Sequence, residues 1–496
     1  MAGIGFELKK LFAKKGLFSL LRAYGYAGIV CTGPMILGVI LLLGVHFLSV
    51  LGGATKPQQD LLNAMITYTL LASLLVTSLF SMLSTRYVAD EMYINHHGRV
   101  MPSFYGSIAI MLVLGGGLYG TFLCFCGVKM IYRILCFILF GLLVIVWTEI
   151  NYLTAIKDYK GILVTFAVSL VIGLLIGLVL MMLKLEVTLA LFIGVNFAYG
   201  LMMVSHLVLL TKYFPKGKGS SVRFLKYTDM YPSLTFVGFF GTLGMFGHLI
   251  IMWASPWGQK IQGIFYGAPK YDVAALVAFL SILITTINFV TSVEVNFYPY
   301  YKNYFSLYND GGSILDIDLA EKEMLTVMEK EISYTAIKQF FATIFFIIFG
   351  TILLPATNMG FNSEMLGVYR VLCIGYAFYA IANTIMLISL YFADNKGALI
   401  GTAVFALVSN LGTVVTLFFP STYYGLGFLI GGMLFYFFAM IRLKTYTNKL
   451  SYHVLCAQPM VARVYEGFFT KIANRCEQAY SCTHKQEEDE EDETEE

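Results

Sequence analysis

The sequence predicts an all-α polytopic membrane protein: twelve transmembrane helices in two six-helix lobes, with both termini on the inner side (N-in/C-in). Three observations carry this. Of 496 residues, 58% are hydrophobic and 13% charged, with a mean hydropathy of +0.75; a soluble domain carries about a quarter charged residues. The apolar residues fall in blocks of roughly 20, the length that spans a bilayer as helix. A membrane β-barrel shows alternating segments of about ten instead. With the N-terminus inside, 25 Lys and Arg lie on inner segments and six on outer ones, the bias that sets orientation.

The start, MAGIGFELKKLFAKKGLFSLLR, carries five basic residues and no small-residue cleavage site, so it does not read as a cleavable signal peptide. Within residues 1–23, the mix of apolar residues and lysines over 4–21 suits a helix on the inner membrane surface. Spans are expected near 24–50, 62–85, 103–126, 131–153, 161–183 and 187–211, making an N-terminal lobe over 24–211. A basic inner loop, 212–228, follows. The second lobe, 229–441, holds spans near 229–253, 273–297, 335–356, 367–392, 397–419 and 423–441. Within it, the loop 299–334 reads as a helix opened by Ser313 and Asp316. Ile317, Met324, Leu325, Met328 and Ile332 supply its apolar face. The tail 442–496 ends in EEDEEDETEE, nine acids in ten residues. Such a run is a solvated tail or a contact for a basic partner. Outside it, 33 basic residues face 21 acidic ones, so the body is about +12.

A weak internal repeat supports the two lobes. Asp158, Lys160 and Gly161 recur 236 residues later as Asp394, Lys396 and Gly397, each at an inner turn before a span. An offset of six spans gives parallel halves, a common transporter design, with the substrate path expected between them. Both half-starts carry helix-bending residues: Gly33-Pro34 in the first span, and Gly241 and Gly244 within GFFGTLGMFG in the seventh. These four are candidate gating positions.

Ionisable residues inside spans point to function, because inserting each costs about 2.5–3.5 kcal/mol. Glu149 and Glu294, toward the inner ends of spans four and eight, pair with a cation such as Arg86 or face a wet cavity. Arg86 and Asp90 close span two, and Arg370 lies at the outer end of span ten. His46, His206 and His248 read as hydrogen-bonded structural residues. Cys124 and Cys126 read as small apolar residues, with no metal site. There is no GxxxxGK[ST] loop, HExxH or GxSxG, so neither ATP hydrolysis nor a catalytic set is expected. The basic segments follow membrane topology and carry no nucleic-acid motif.

Four stretches resemble a known family: MAGIGFELKKLF, LLRAYGYAGIVCTGP, TRYVADEMY, and VEVNFYPYYKNYFSLYNDGGSILDI after span eight. Together they are similar to PelG, the membrane transporters of the Pel exopolysaccharide machinery. PelG belongs to the superfamily of polysaccharide flippases and multidrug and toxic compound extrusion transporters. The resemblance covers roughly 1–455. It implies a twelve-helix, two-lobed exporter of an amino-sugar-rich polysaccharide in the cytoplasmic membrane of a bacterium, with no cofactor. It also implies a cytosolic glycosyltransferase (PelF-like) and membrane partners (PelD-like and PelE-like). Arg86, Asp90, Glu294, Tyr298 and Tyr301 fall in the matching stretches. They are candidates for the substrate path, with Glu149 and Arg370 added from the reading above. The 33 Tyr and 41 Phe would suit gliding sugar rings. Two other readings stand beside this one. One is an ion-coupled multidrug or lipid-linked oligosaccharide flippase, with Glu149 or Glu294 protonatable. The other is a membrane scaffold for a glycosyltransferase, docked through the basic loop and tail.

Overall fold

In lipid a backbone finds no water, so an apolar run satisfies its own N–H and C=O groups as helix. The structure, a computed structural model, describes residues 17–156, 158–214, 217, 219–356, 361–453 and 467–480. The expected surface helix over 4–21 falls mostly outside them. Helices run as α1 (Leu17–Leu51), α2 (Lys56–Tyr93), α3 (Val100–Phe125), α4 (Met130–Ile156), α5 (Tyr159–Met182), α6 (Val187–Tyr213) and α7 (Pro232–Met252). Then come α8 (Pro269–Asn309), α9 (Ile314–Leu353), α10 (Ser363–Tyr391), α11 (Asn395–Thr416) and α12 (Leu426–Thr447). Residues 468–480 form α13. Among the described residues, eleven helices, α2 to α12, are long and apolar enough to cross a membrane. The described apolar part of α1, Ile36–Leu51, is shorter.

Two compact units divide the chain. The N-terminal unit comprises residues 37–239, 261–265 and 459–496; the C-terminal unit comprises 1–36, 240–260 and 266–458. The division falls inside α1, three residues after Gly33, and inside α7, before Gly241.

Inside the N-terminal unit, helices meet through small residues, because lipid offers no hydrophobic drive between them. Gly173 and Gly177 of α5 face Gly194 and Ala198 of α6, and a Cβ on Gly173 would overlap Ala198. In the C-terminal unit, Gly427 of α12 lies against Gly412 and Thr413 of α11 in the same way. The repeated turns also match. Asp158 caps α5 by accepting from Gly161 N–H at 2.9 Å. Asp394 caps α11 by accepting from Gly397 N–H at 3.0 Å. Their backbones agree, at φ −86°, ψ 59° and φ −77°, ψ 62°. Each carboxylate is then held by the following helix, Asp158 by Tyr213 and Asp394 by Arg442.

Two elements differ from expectation. The loop helix after Ser313 does not end before span nine. It continues into it as the single 40-residue α9. Ser313 is its N-cap, accepting from Asp316 N–H. Met324, Met328 and Ile332 are buried, and Ile317 and Leu325 are packed against them. No glycine or proline interrupts 314–349, so nothing breaks the ladder between loop and span. The link between α7 and α8, in a chain expected to be all-α, contains a two-stranded hairpin, β1 (Gln259–Gln262) and β2 (Phe265–Gly267). Gly263 turns it at φ +59°, a conformation glycine adopts without strain. Phe265 is fully buried against Tyr68 and Phe122.

Candidate functional site: buried polar groups in the spans

In the N-terminal unit, Glu149 of α4 and His206 of α6 are both completely buried, with Oε2 and Nδ1 3.7 Å apart. Neither carboxylate oxygen has a hydrogen-bond partner among the described residues. Glu149 therefore meets a histidine rather than Arg86. Burying an isolated carboxylate ion is very costly, so such a pair is stable when one proton is held between its members.

Arg86 and Asp90 come together at the end of α2, one helical turn apart, at 3.1 Å. The Arg86 guanidinium also lies 5.5 Å from the centre of the Tyr231 ring. Beside them, burial and then the Asp90 carboxylate push the Tyr227 hydroxyl above its ordinary range. Glu91 is buried and faces His96 and Arg99 at 3.4 and 3.6 Å.

In the C-terminal unit, α8 is not a uniform helix. Residues Val290–Phe297 form a π-helix, a distortion frequent at functional sites. The backbone of Glu294 lies in this segment; its side chain is outside the described residues. The wider turn faces a polar ladder on α9. Asn288 donates to Ser292 at 3.0 Å and to Thr335 at 2.6 Å, and accepts from Lys338 at 2.6 Å. Gln339 accepts from Thr285 and donates to the Ser281 carbonyl at 3.1 Å. Asn296 donates to Glu331 at 3.0 Å. Glu331, Thr335, Gln339 and Thr343 recur every four residues and so share one face of α9. Asn288 is 2% exposed. Asn288→Leu removes the bonds of Asn288 to Lys338, Thr335 and Ser292 together, and a loss of about 1–3 kcal/mol is expected in detergent unfolding. A change under about 0.5 kcal/mol would mean the ladder contributes no stability.

The tyrosines after the π-helix divide. Tyr298 is 36% exposed and stacks on Tyr301 at 6.2 Å. Tyr301 donates its hydroxyl to the Tyr391 carbonyl at 3.0 Å and packs on Phe305. Tyr304 is buried and donates to Glu321. Tyr301 and Tyr304 thus tie α8 to α10 and α9. Arg370 donates to Thr351 at 3.1 Å in an exposed position.

The gating candidates also separate. α1 is helical through Gly33 and Pro34, and Gly33 is buried; the Pro34 side chain lies outside the described residues. Gly241 has open space where a Cβ would stand. Gly244 lets α11 approach closely: a Cβ there would overlap Phe405, and its carbonyl accepts from Ser409 at 3.1 Å.

Sequence reasoning missed the roles of His206 and Lys338. The signal for Lys338 was present as a lone lysine in YTAIKQFFATIFF. Nothing marks His206 as the partner of a glutamate 57 residues away.

Similarity to known proteins agrees with this geometry. A MOP superfamily transporter from Pyrococcus furiosus Vc1 (DSM3638) aligns with a TM-score of 0.56 at 12% identity, over 86% of this chain and 96% of its own. A MATE structure in the bent conformation aligns with a TM-score of 0.54 at 13% identity, with the same coverage. An outward-facing multidrug resistance MATE family transporter aligns with a TM-score of 0.52 at 13% identity, again over 86% and 96%. At such identities the likeness is one of fold. No curated protein matches the chain. The family model described as "PelG: Putative exopolysaccharide Exporter (EPS-E)" matches residues 1–455. With the MATE-like transporter fold beneath that match, the chain belongs to the PelG family of exopolysaccharide exporters.

Proposed function

We propose that the chain exports a Pel-type amino-sugar exopolysaccharide across the cytoplasmic membrane of a bacterium, as the membrane subunit of a synthase and transport complex. The family match over 455 residues carries this reading. The apolar part of α1 completes twelve spans, and the excess of Lys and Arg on inner segments favours N-in/C-in. A cytosolic PelF-like glycosyltransferase and PelD-like and PelE-like membrane proteins are the proposed partners. The chain acts as a transporter rather than an enzyme, with the ladder and tyrosines around Glu294 and Tyr298 at the inner entrance. Arg86, Asp90 and Arg370 are proposed contacts along the path. Gly33, Pro34 and Gly241 are proposed bending points, supported by the unit division inside α1 and α7.

The test is complementation of a polymer-producing strain that lacks its own exporter gene. Wild type restores surface polymer, whereas Glu294→Gln assembles with its partners and exports at least about tenfold less. An assembled, fully exporting Glu294→Gln chain removes Glu294 from the path; failure of wild type to restore polymer overturns the export reading.

The Glu149–His206 pair favours a second reading, an ion-coupled flippase of the same superfamily. That reading expects gradient-dependent transport by the purified chain alone.

A further inference from the structure

Helix α13 lies beyond the residues matched by the family model, yet its inner face is built into the N-terminal unit. Asp229 accepts from the backbone N–H and hydroxyl of Thr470 at 2.6 and 2.8 Å, capping the first turn. Glu477 accepts from Lys226 at 2.6 Å and lies 3.6 Å from Arg223. Gly219 N–H donates to the Tyr480 hydroxyl at 3.3 Å. Ala473 is fully buried, and Ile472 packs on a cluster that includes Tyr87, Val100, Leu153, Ile162 and Phe214. Those residues lie at or directly beside the neighbouring ends of α2, α3, α4, α5 and α6, the ends that the bias of Lys and Arg puts at the inner membrane surface. With that orientation the helix sits at headgroup depth.

Its outer face has a different chemistry. Phe468, Lys471 and Arg475 follow one another at i, i+3 and i+7, which places them on one stripe, and all three are exposed. Phe468 is 71% exposed, with Phe469 edge-on beside it at 5.5 Å. The one acid of the helix, Glu477, is turned inward onto Arg223 and Lys226. Among the described residues neither Lys471 nor Arg475 makes an ion pair. The exposed stripe thus presents two cations and an aromatic pair, with no acid.

We propose that α13 is an interfacial anchor that recognises anionic phospholipid headgroups. Lys471 and Arg475 meet the phosphates, and Phe468 and Phe469 enter the boundary with the acyl chains. Cations beside apolar rings on one face of a helix suit this surface. An acidic protein partner would satisfy the cations but leave exposed rings at headgroup depth without a role. The inference does not depend on which polymer is moved.

The test is amide hydrogen exchange on the full chain in nanodiscs of phosphatidylcholine alone or with phosphatidylglycerol. Amides of 468–480 should exchange at least about fivefold more slowly with the anionic lipid, about the factor one basic residue contributes at such a surface. High salt should remove the difference. Lys471→Gln/Arg475→Gln leaves the inner face intact and should exchange equally in both lipids. Equal exchange of wild type in both lipids overturns the proposal. So does slowing that persists in the double variant, or slowing that appears only when a soluble acidic protein is added.

Discussion

Glu149→Leu is expected to lower unfolding stability by about 2–3 kcal/mol, because it leaves the His206 imidazole buried without its partner. His206→Leu should cost about as much, by stranding the carboxyl. The double variant Glu149→Leu/His206→Leu should recover most of the loss, since an apolar pair of similar volume replaces a buried polar one at little net cost. Export should not recover with it. Glu149→Gln keeps the shape but cannot exchange a proton, so it should fold as wild type and lose export. Thermal unfolding in detergent reads stability, and surface polymer in the complemented strain reads function. Full export by Glu149→Gln would reduce the pair to a structural contact.

The second large effect comes from the matched turns. Asp394→Ala removes the cap of α11 and leaves Arg442 without its two carboxylate bonds, at 2.6 and 2.8 Å. A lost cap costs about 1 kcal/mol. The bidentate pair adds about 1–2 kcal/mol, held down because Arg442 is 39% exposed and water replaces part of what is lost. Asp158→Ala loses its cap and only an exposed bond from Tyr213 at 3.1 Å, so about 1 kcal/mol is expected. Parallel unfolding of the two variants measures the difference. Equal losses would show that Arg442 contributes nothing beyond the cap.

Sequence patterns that repeat locally were legible. Eleven of the expected spans coincide with helices long and apolar enough to cross a membrane, because a block of about 20 apolar residues has one way to satisfy its backbone in lipid. Ser313 and the face from Ile317 to Ile332 were legible because capping and helical spacing act over a few residues. The Asp-X-Lys-Gly turns pointed to two related halves, and their shared geometry shows why the tetrapeptide recurs: Asp caps, and Gly provides the N–H. What stayed hidden was long-range. Glu149 with His206, Asn288 with Lys338, and Lys226 with Glu477 join residues 57, 50 and 251 positions apart. The π-helix at Val290–Phe297 has no periodic signature, because it inserts a residue into an otherwise ordinary apolar run. The fusion of loop and span into α9 was hidden because its charged and apolar parts looked like separate segments.

That fusion has a mechanical consequence. At 1.5 Å per residue, the 40 residues of α9 make a rod of about 60 Å. A bilayer core is about 30 Å thick, so roughly half the rod stands outside it as a mast. Lys322, Glu323, Glu329 and Lys330 stud the half outside the bilayer, while Thr335 and Gln339 hold the half within it to α8. The rod has no joint between them. A body that grips the mast therefore applies torque directly to the polar ladder within the membrane, and a polymerising enzyme docked there would be geared to the transporter by a single shaft.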